Sequence, residues 1–110
     1  MATFNKFNSF VEAQAEKVHN LGADVLKVAL TNSAPVATNT VLADITQVGA
    51  GGGYSTGGNT ATLTSSAQSS GTYKLVLVDT VFTATTGFGP FRYAVLYNDT
   101  ATSDELIGWW

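Results

Sequence analysis

The sequence predicts a mainly β fold, a jelly-roll-like antiparallel β-sandwich with one N-terminal α-helix. Three observations predict it. Apolar residues recur at helical spacing near the N-terminus, short runs from Asp24 onward alternate with a period of two, and turn-forming residues separate those runs at sandwich-like intervals. At 110 residues with 45% hydrophobic content, the chain has the size and apolar fraction of one domain, residues 1–110, with a buried core.

Phe4, Phe7, Val11, Val18 and Leu21 make the stripe of an amphipathic helix, predicted near residues 9–20 with Phe4 and Phe7 on its leading arm or first turn. Ser9 and Glu12 have capping-box spacing, and Gly22 stands where a left-handed cap would end the helix. Residues 24–31 then read as a strand with Leu26, Val28 and Leu30 on one face. Asn32-Ser33-Ala34-Pro35 breaks it, and Val41, Leu42, Ile45 and Val48 have the spacing of a short helical turn. Further strands are expected at 59–65, 72–79, 80–84, 91–98 and 106–110. The one at 72–79 is apolar on both faces, which predicts a central position. Along the next, Tyr93, Val95 and Tyr97 share a face with Phe91, and Arg92, Ala94, Leu96 and Asn98 share the other. Five or six strands fall short of the eight in a complete jelly roll, so neighbours are expected to complete the sheet edges.

Residues 49–58 hold six of the eleven glycines and divide the helical part from the strand-rich part. A segment so rich in glycine has no regular conformation of its own, so it is expected to be fixed by a partner or to stay mobile. It does not match a phosphate cradle. Tyr54 occupies the sixth place of a dinucleotide fingerprint begun at Gly49, and Asn59-Thr60 follows Gly58 where a P-loop needs lysine.

Charge is distributed unevenly. From Ile45 to Tyr73 there is no Asp, Glu, Lys or Arg, and hydroxyls carry the polarity. Natural sheet edges use charge to block association, so an uncharged stretch of this length is expected to be covered. A net charge of −3 with five basic residues argues against nucleic-acid binding. No apolar run reaches the ~18 residues of a membrane helix, and residues 1–8 lack the pattern of a secretory signal. Zero cysteines exclude disulfide and thiol chemistry.

The residues offer no catalytic or metal constellation. His19 is the single histidine, so zinc has no histidine pair. Glu16 and His19 have the spacing of half a di-iron helix pair, and the second half is absent. Both therefore read as a solvated helix face. Asp99, Asp104 and Glu105 lack calcium-loop spacing, Asp44 and Asp79 are not tied together as a glycosidase pair would be, and Ser55 has no nucleophile elbow. No enzyme and no cofactor are expected. The aromatics are the remaining candidates: Phe4, Phe7, Tyr54, Phe88, Trp109 and Trp110 as protein-interface residues, or Tyr54, Tyr73, Phe88, Trp109 and Trp110 as stacking faces of a carbohydrate-binding module.

Asn39-Thr40-Val41-Leu42-Ala43-Asp44-Ile45-Thr46-Gln47-Val48, Gly53-Tyr54, Arg92-Tyr93-Ala94-Val95-Leu96-Tyr97-Asn98 and Leu106-Ile107-Gly108-Trp109 together carry a resemblance. The chain resembles small structural proteins of tailed double-stranded-DNA bacteriophages, and most of all the capsid cement, or decoration, proteins on the outside of the head. The resemblance implies a jelly-roll-like homodimer made in the host cytoplasm and seated across neighbouring major capsid protein subunits of the virion. Similar sequences also carry tail-fibre labels, so a tail-associated virion protein is the alternative within that group.

Overall fold

A computed structural model describes residues 4–78, 80–83, 85–87 and 90–110. Along the chain lie β1 (Asn5–Lys6), α1 (Asn8–Ala15), β2 (Leu26–Thr31), a 3-10 turn at Leu42–Asp44, β3 (Asn59–Ala61), β4 (Leu63–Ser69), β5 (Thr72–Leu77), β6 (Tyr93–Asn98) and β7 (Leu106–Trp109). The fold is mainly β, antiparallel, with one helix, as the periodicity predicts. Five strands form one sheet in the order β1-β7-β6-β2-β3, and among the described residues β4 and β5 pair only with each other.

The centre of the large sheet is the six-residue pairing of β2 with β6, from Leu26 opposite Asn98 to Thr31 opposite Tyr93. Alternation sends Ala29, Val95 and Tyr97 to one face, where they pack with Phe7, Ile45 and Leu106. Leu26, Val28 and Leu96 go to the other, with Leu21, Ala61 and Ile107. Leu106 and Ile107 part to opposite faces as neighbours in a strand should, yet Trp109 returns to Leu106's face. A bulge explains it. Tyr97 pairs with Leu106 and Leu96 with Gly108, so Ile107 is an extra residue and the alternation restarts after it. Trp109 thereby reaches Phe7, with ring centroids 4.5 Å apart.

Several boundaries differ from the pattern. The helix spans Asn8–Ala15 and stops well before residue 20. Lys17, at φ 68°, takes the left-handed position, and the Val18 N–H donates to the Ala13 carbonyl, the six-residue closure of a Schellman motif. Gly22 is not the cap. Nor do Ser9 and Glu12 form a capping box, because the N-cap is Phe7 and receives no side-chain bond. The strand expected at 59–65 is two strands, β3 in the large sheet and β4 in the hairpin. Ser70 at φ 50° and Gly71 at φ 82° form the two-residue turn joining β4 to β5, the left-handed pair of a type I′ hairpin. The strand expected at 72–79 ends at Leu77, and it is not central: β5 lies in the two-stranded sheet with Tyr73 and Lys74 exposed. Residues 80–83 form no strand, and residue 84 lies outside the described residues. The first, fifth and last expected strands are trimmed to 26–31, 93–98 and 106–109.

The glycine-rich segment is fixed by its own chain and needs no partner for its shape. Beyond the end of β3, one edge of β2 is open at Leu30. The Val48 N–H donates to the Leu30 carbonyl, and the Leu30 N–H donates to the Tyr54 hydroxyl at 3.1 Å. Tyr54, only 2% exposed, donates in turn to Gln47 Oε1 at 2.7 Å, which also accepts from the Gly57 N–H. The Tyr97 hydroxyl closes the other side by donating to the Gly57 carbonyl at 2.6 Å. Burial pushes both tyrosine hydroxyls above their ordinary pKa, so they remain protonated donors throughout the neutral range.

Gly58 leaves this loop at φ 75°, so close to β2 that a Cβ would lie 1.8 Å from the Val28 carbonyl oxygen. Gly71 has the same sign of φ but open space around it. Gly71→Ala should therefore cost about 1–2 kcal/mol, the strain of a left-handed alanine, whereas Gly58→Ala should cost more than about 3 kcal/mol. Urea denaturation of the two variants measures the difference.

Candidate functional site

The hairpin covers only part of the second face of the large sheet. From β5, Tyr73, Leu75 and Leu77 recur at every second position and so share a strand face. With Leu96, Ile107, Phe4 and Trp110 they line an open apolar groove of about 600 Å³. A second groove of about 390 Å³ continues past Leu77 and Trp110 to Val78, Phe82 and Phe91. Trp110 and Leu77 belong to both. Among the described residues, no charged side chain lines either one.

The floor is built by close backbone approach. Gly108 has no side chain because the Phe4 ring takes its place: a Cβ there would lie 2.2 Å from Phe4 Cζ. Phe4 sits next to β1, whose two residues pair with Gly108 and Trp109. Its ring lies 5.9 Å from that of Trp110, which two backbone hydrogen bonds to Ala94 hold beyond the end of β7. Phe4 is 53% and Trp110 36% exposed, so this pair forms an aromatic rim.

The six aromatic interface candidates are therefore sorted by burial. Phe4 and Trp110 are on the surface and adjacent. Phe7 and Tyr54 are buried within the chain, and Trp109, half-buried, packs on Phe7. Phe88 lies outside the described residues. Of the proposed stacking faces, Tyr73 and Trp110 meet at the groove, and Tyr54 is buried. Sequence reasoning missed Leu75, Leu77, Phe91 and Ile107 as groove residues. Only the alternation of Tyr73, Leu75 and Leu77 carried a signal, and a central strand explained that equally well.

A separate polar cluster lies beyond the helix end. His19 is 4% exposed, not on a solvated face. Asn98 Nδ2 donates to His19 Nδ1 at 2.9 Å and to Asp24 Oδ2 at 2.7 Å, and Asn98 Oδ1 accepts from the Thr100 and Ala101 N–H groups. Since Nδ1 accepts, the neutral ring carries its proton on Nε2, which is buried and has no hydrogen-bond partner among the described residues. Burial lowers the His19 pKa, with Glu105 and Asp24 acting in the opposite direction. At the 3-10 turn, Asp44 Oδ2 accepts from the Thr40 and Val41 N–H groups, which hold its carboxyl below the usual range. Among the described residues no three His, Cys, Asp or Glu side chains gather as a metal site. No described helix is long and apolar enough to cross a membrane.

No protein-family model matches the chain, and no curated protein or solved structure is significantly similar to it.

Two expectations follow from the burial pattern. Phe7→Ala should cost about 3–5 kcal/mol of stability and Phe4→Ala less than about 1 kcal/mol, read from urea midpoints. His19 has a folded pKa below its unfolded value, so the unfolded chain takes up the proton first as pH falls. Its contribution is fully present above about pH 6.5 and declines below it, by at most about 1.4 kcal/mol per pH unit. Urea titrations at pH 7.5 and 5.5 should show this loss in the native chain and a smaller one in His19→Gln.

Proposed function

We propose that the chain is a non-enzymatic virion structural protein that binds the outer surface of a phage head and cements neighbouring major capsid protein subunits. The observation that carries this reading is the apolar groove rimmed by Phe4, Trp110 and Tyr73, with no charged group among the described residues of its lining. Such a surface suits apolar contact with protein and offers nothing to a reaction. The resemblance in residues 39–48, 92–98 and 106–109 supplies the virion context.

Cementing is a mechanical activity. A module that touches two subunits makes its second contact intramolecularly, so two modest contacts retain it strongly. Because it binds the assembled shell and not the separated subunits, it stabilises assembly by mass action. Self-pairing as a homodimer would double the number of contacts.

Co-sedimentation with mature, undecorated heads of the same phage tests this. A saturable, fixed ratio to the major capsid protein is expected. Trp110→Ala should weaken binding by at least about tenfold, since a central buried aromatic commonly contributes 1.4 kcal/mol or more, while leaving the urea midpoint nearly unchanged. Absence of binding to heads, with the protein in tail fractions, would replace the cement role with a tail-associated one.

A further inference from the structure

The geometry points to β5 as the acceptor of an added strand: an extended segment of another polypeptide, with uncharged apolar side chains at alternate positions, laid along its free edge. The second layer holds two strands against the five of the large sheet. Among the described residues, β5 pairs with β4 alone.

Hairpin geometry identifies which backbone groups are open. The two-residue turn makes Ser69 and Thr72 a hydrogen-bonded pair, and bonding then alternates, so the N–H groups of Thr72, Lys74 and Val76 face β4. The Val78 N–H continues that series by donating to the Thr62 carbonyl at 2.8 Å. The N–H groups of Tyr73, Leu75 and Leu77 therefore face outward. Their side chains are the same three that line the groove.

One occupant satisfies both demands. Outward N–H and C=O groups at every second residue accept an extended backbone, and alternate side chains of that strand would point toward the groove. Ile107, Phe4 and Trp110, the sheet-side lining, would then gain a cover. The described lining carries no charge, and Lys74 lies on the other face of β5, so inward side chains of the strand must be uncharged and apolar. The large sheet offers no comparable edge: its outermost strands, β1 and β3, have two and three residues.

This inference stands apart from the head-binding proposal, because a synthetic strand tests it without any capsid. The probe is a capped heptapeptide of alternating Thr and Val, flanked by lysines for solubility. Its control is the same peptide N-methylated at every second residue, which keeps the side chains and removes one edge of donors. Binding should be saturable, alter tryptophan emission, and slow amide exchange tenfold or more at Tyr73, Leu75 and Leu77, with little change at Thr72, Lys74 and Val76. The N-methylated peptide should bind at least tenfold more weakly. Equal binding of both peptides would show a side-chain groove without strand pairing and overturn the proposal. So would the absence of saturable binding, or protection confined to other strands. If raising the protein concentration alone protects the same three amides, a second copy is the occupant and the assignment to a different polypeptide fails.

Discussion

A sheet that is apolar on both faces must be covered twice, and that constraint organises this molecule. β2 and β6 present Ala29, Val95 and Tyr97 to one side and Leu26, Val28 and Leu96 to the other. One side is covered by Phe7 at the start of the helix, by Ile45 and Leu42 from the 3-10 region, and by Trp109. The other receives Phe10, Leu21, Phe82 and the inner residues of the β4–β5 hairpin. Because two strands cannot roof five, the second side remains partly open, and its opening is the groove.

The same constraint explains where polar side chains are spent inside. On the edge away from β6, the end of β2 has no strand beside it among the described residues, and Tyr54 with Gln47 substitutes for the missing ladder. At the opposite end, Asn98 bonds His19, Asp24 and the following turn from a fully buried position. Each replaces a backbone partner that the short strands do not provide, because a buried N–H or C=O left unpaired costs more than the side-chain bond that satisfies it. Glycine allows the loop to pass over β2 at Gly58 and Phe4 to lie on Gly108. The loop is thus a closure device for the sheet edge, with its shape set by the tyrosine at its middle.

A cement role fits a protein organised in this way. The side where the loop and 3-10 turn lie is hydrogen-bonded internally, while the open side displays apolar residues in a layer short of strands. Contact with a shell would complete a sandwich that is already folded. The segment without charge, residues 45–73, includes all of β4, whose own surface therefore opposes association with no charge.

Alternation located β2 and β6 and assigned the faces of Val95, Tyr97, Leu96 and Ala94 correctly, since a strand's side-chain period is a local property of the backbone. The mainly β class followed from it. Local sequence could not place the helix end, because Lys17 occupies the left-handed cap that Gly22 seemed better suited to fill. It could not separate interface aromatics from core aromatics either. Phe4 and Phe7 share a helical stripe and Trp109 adjoins Trp110, yet Phe7 is buried with the half-buried Trp109 packed on it, while Phe4 and Trp110 are exposed. The bulge at Ile107 and the packing of Phe7 decide that division: the first is set by pairing with Leu96 and Tyr97 on β6, the second by contact with Trp109 from the other end of the chain. Strand period is written in neighbours along the sequence; burial is decided by neighbours in space, and only the tertiary structure brings those together.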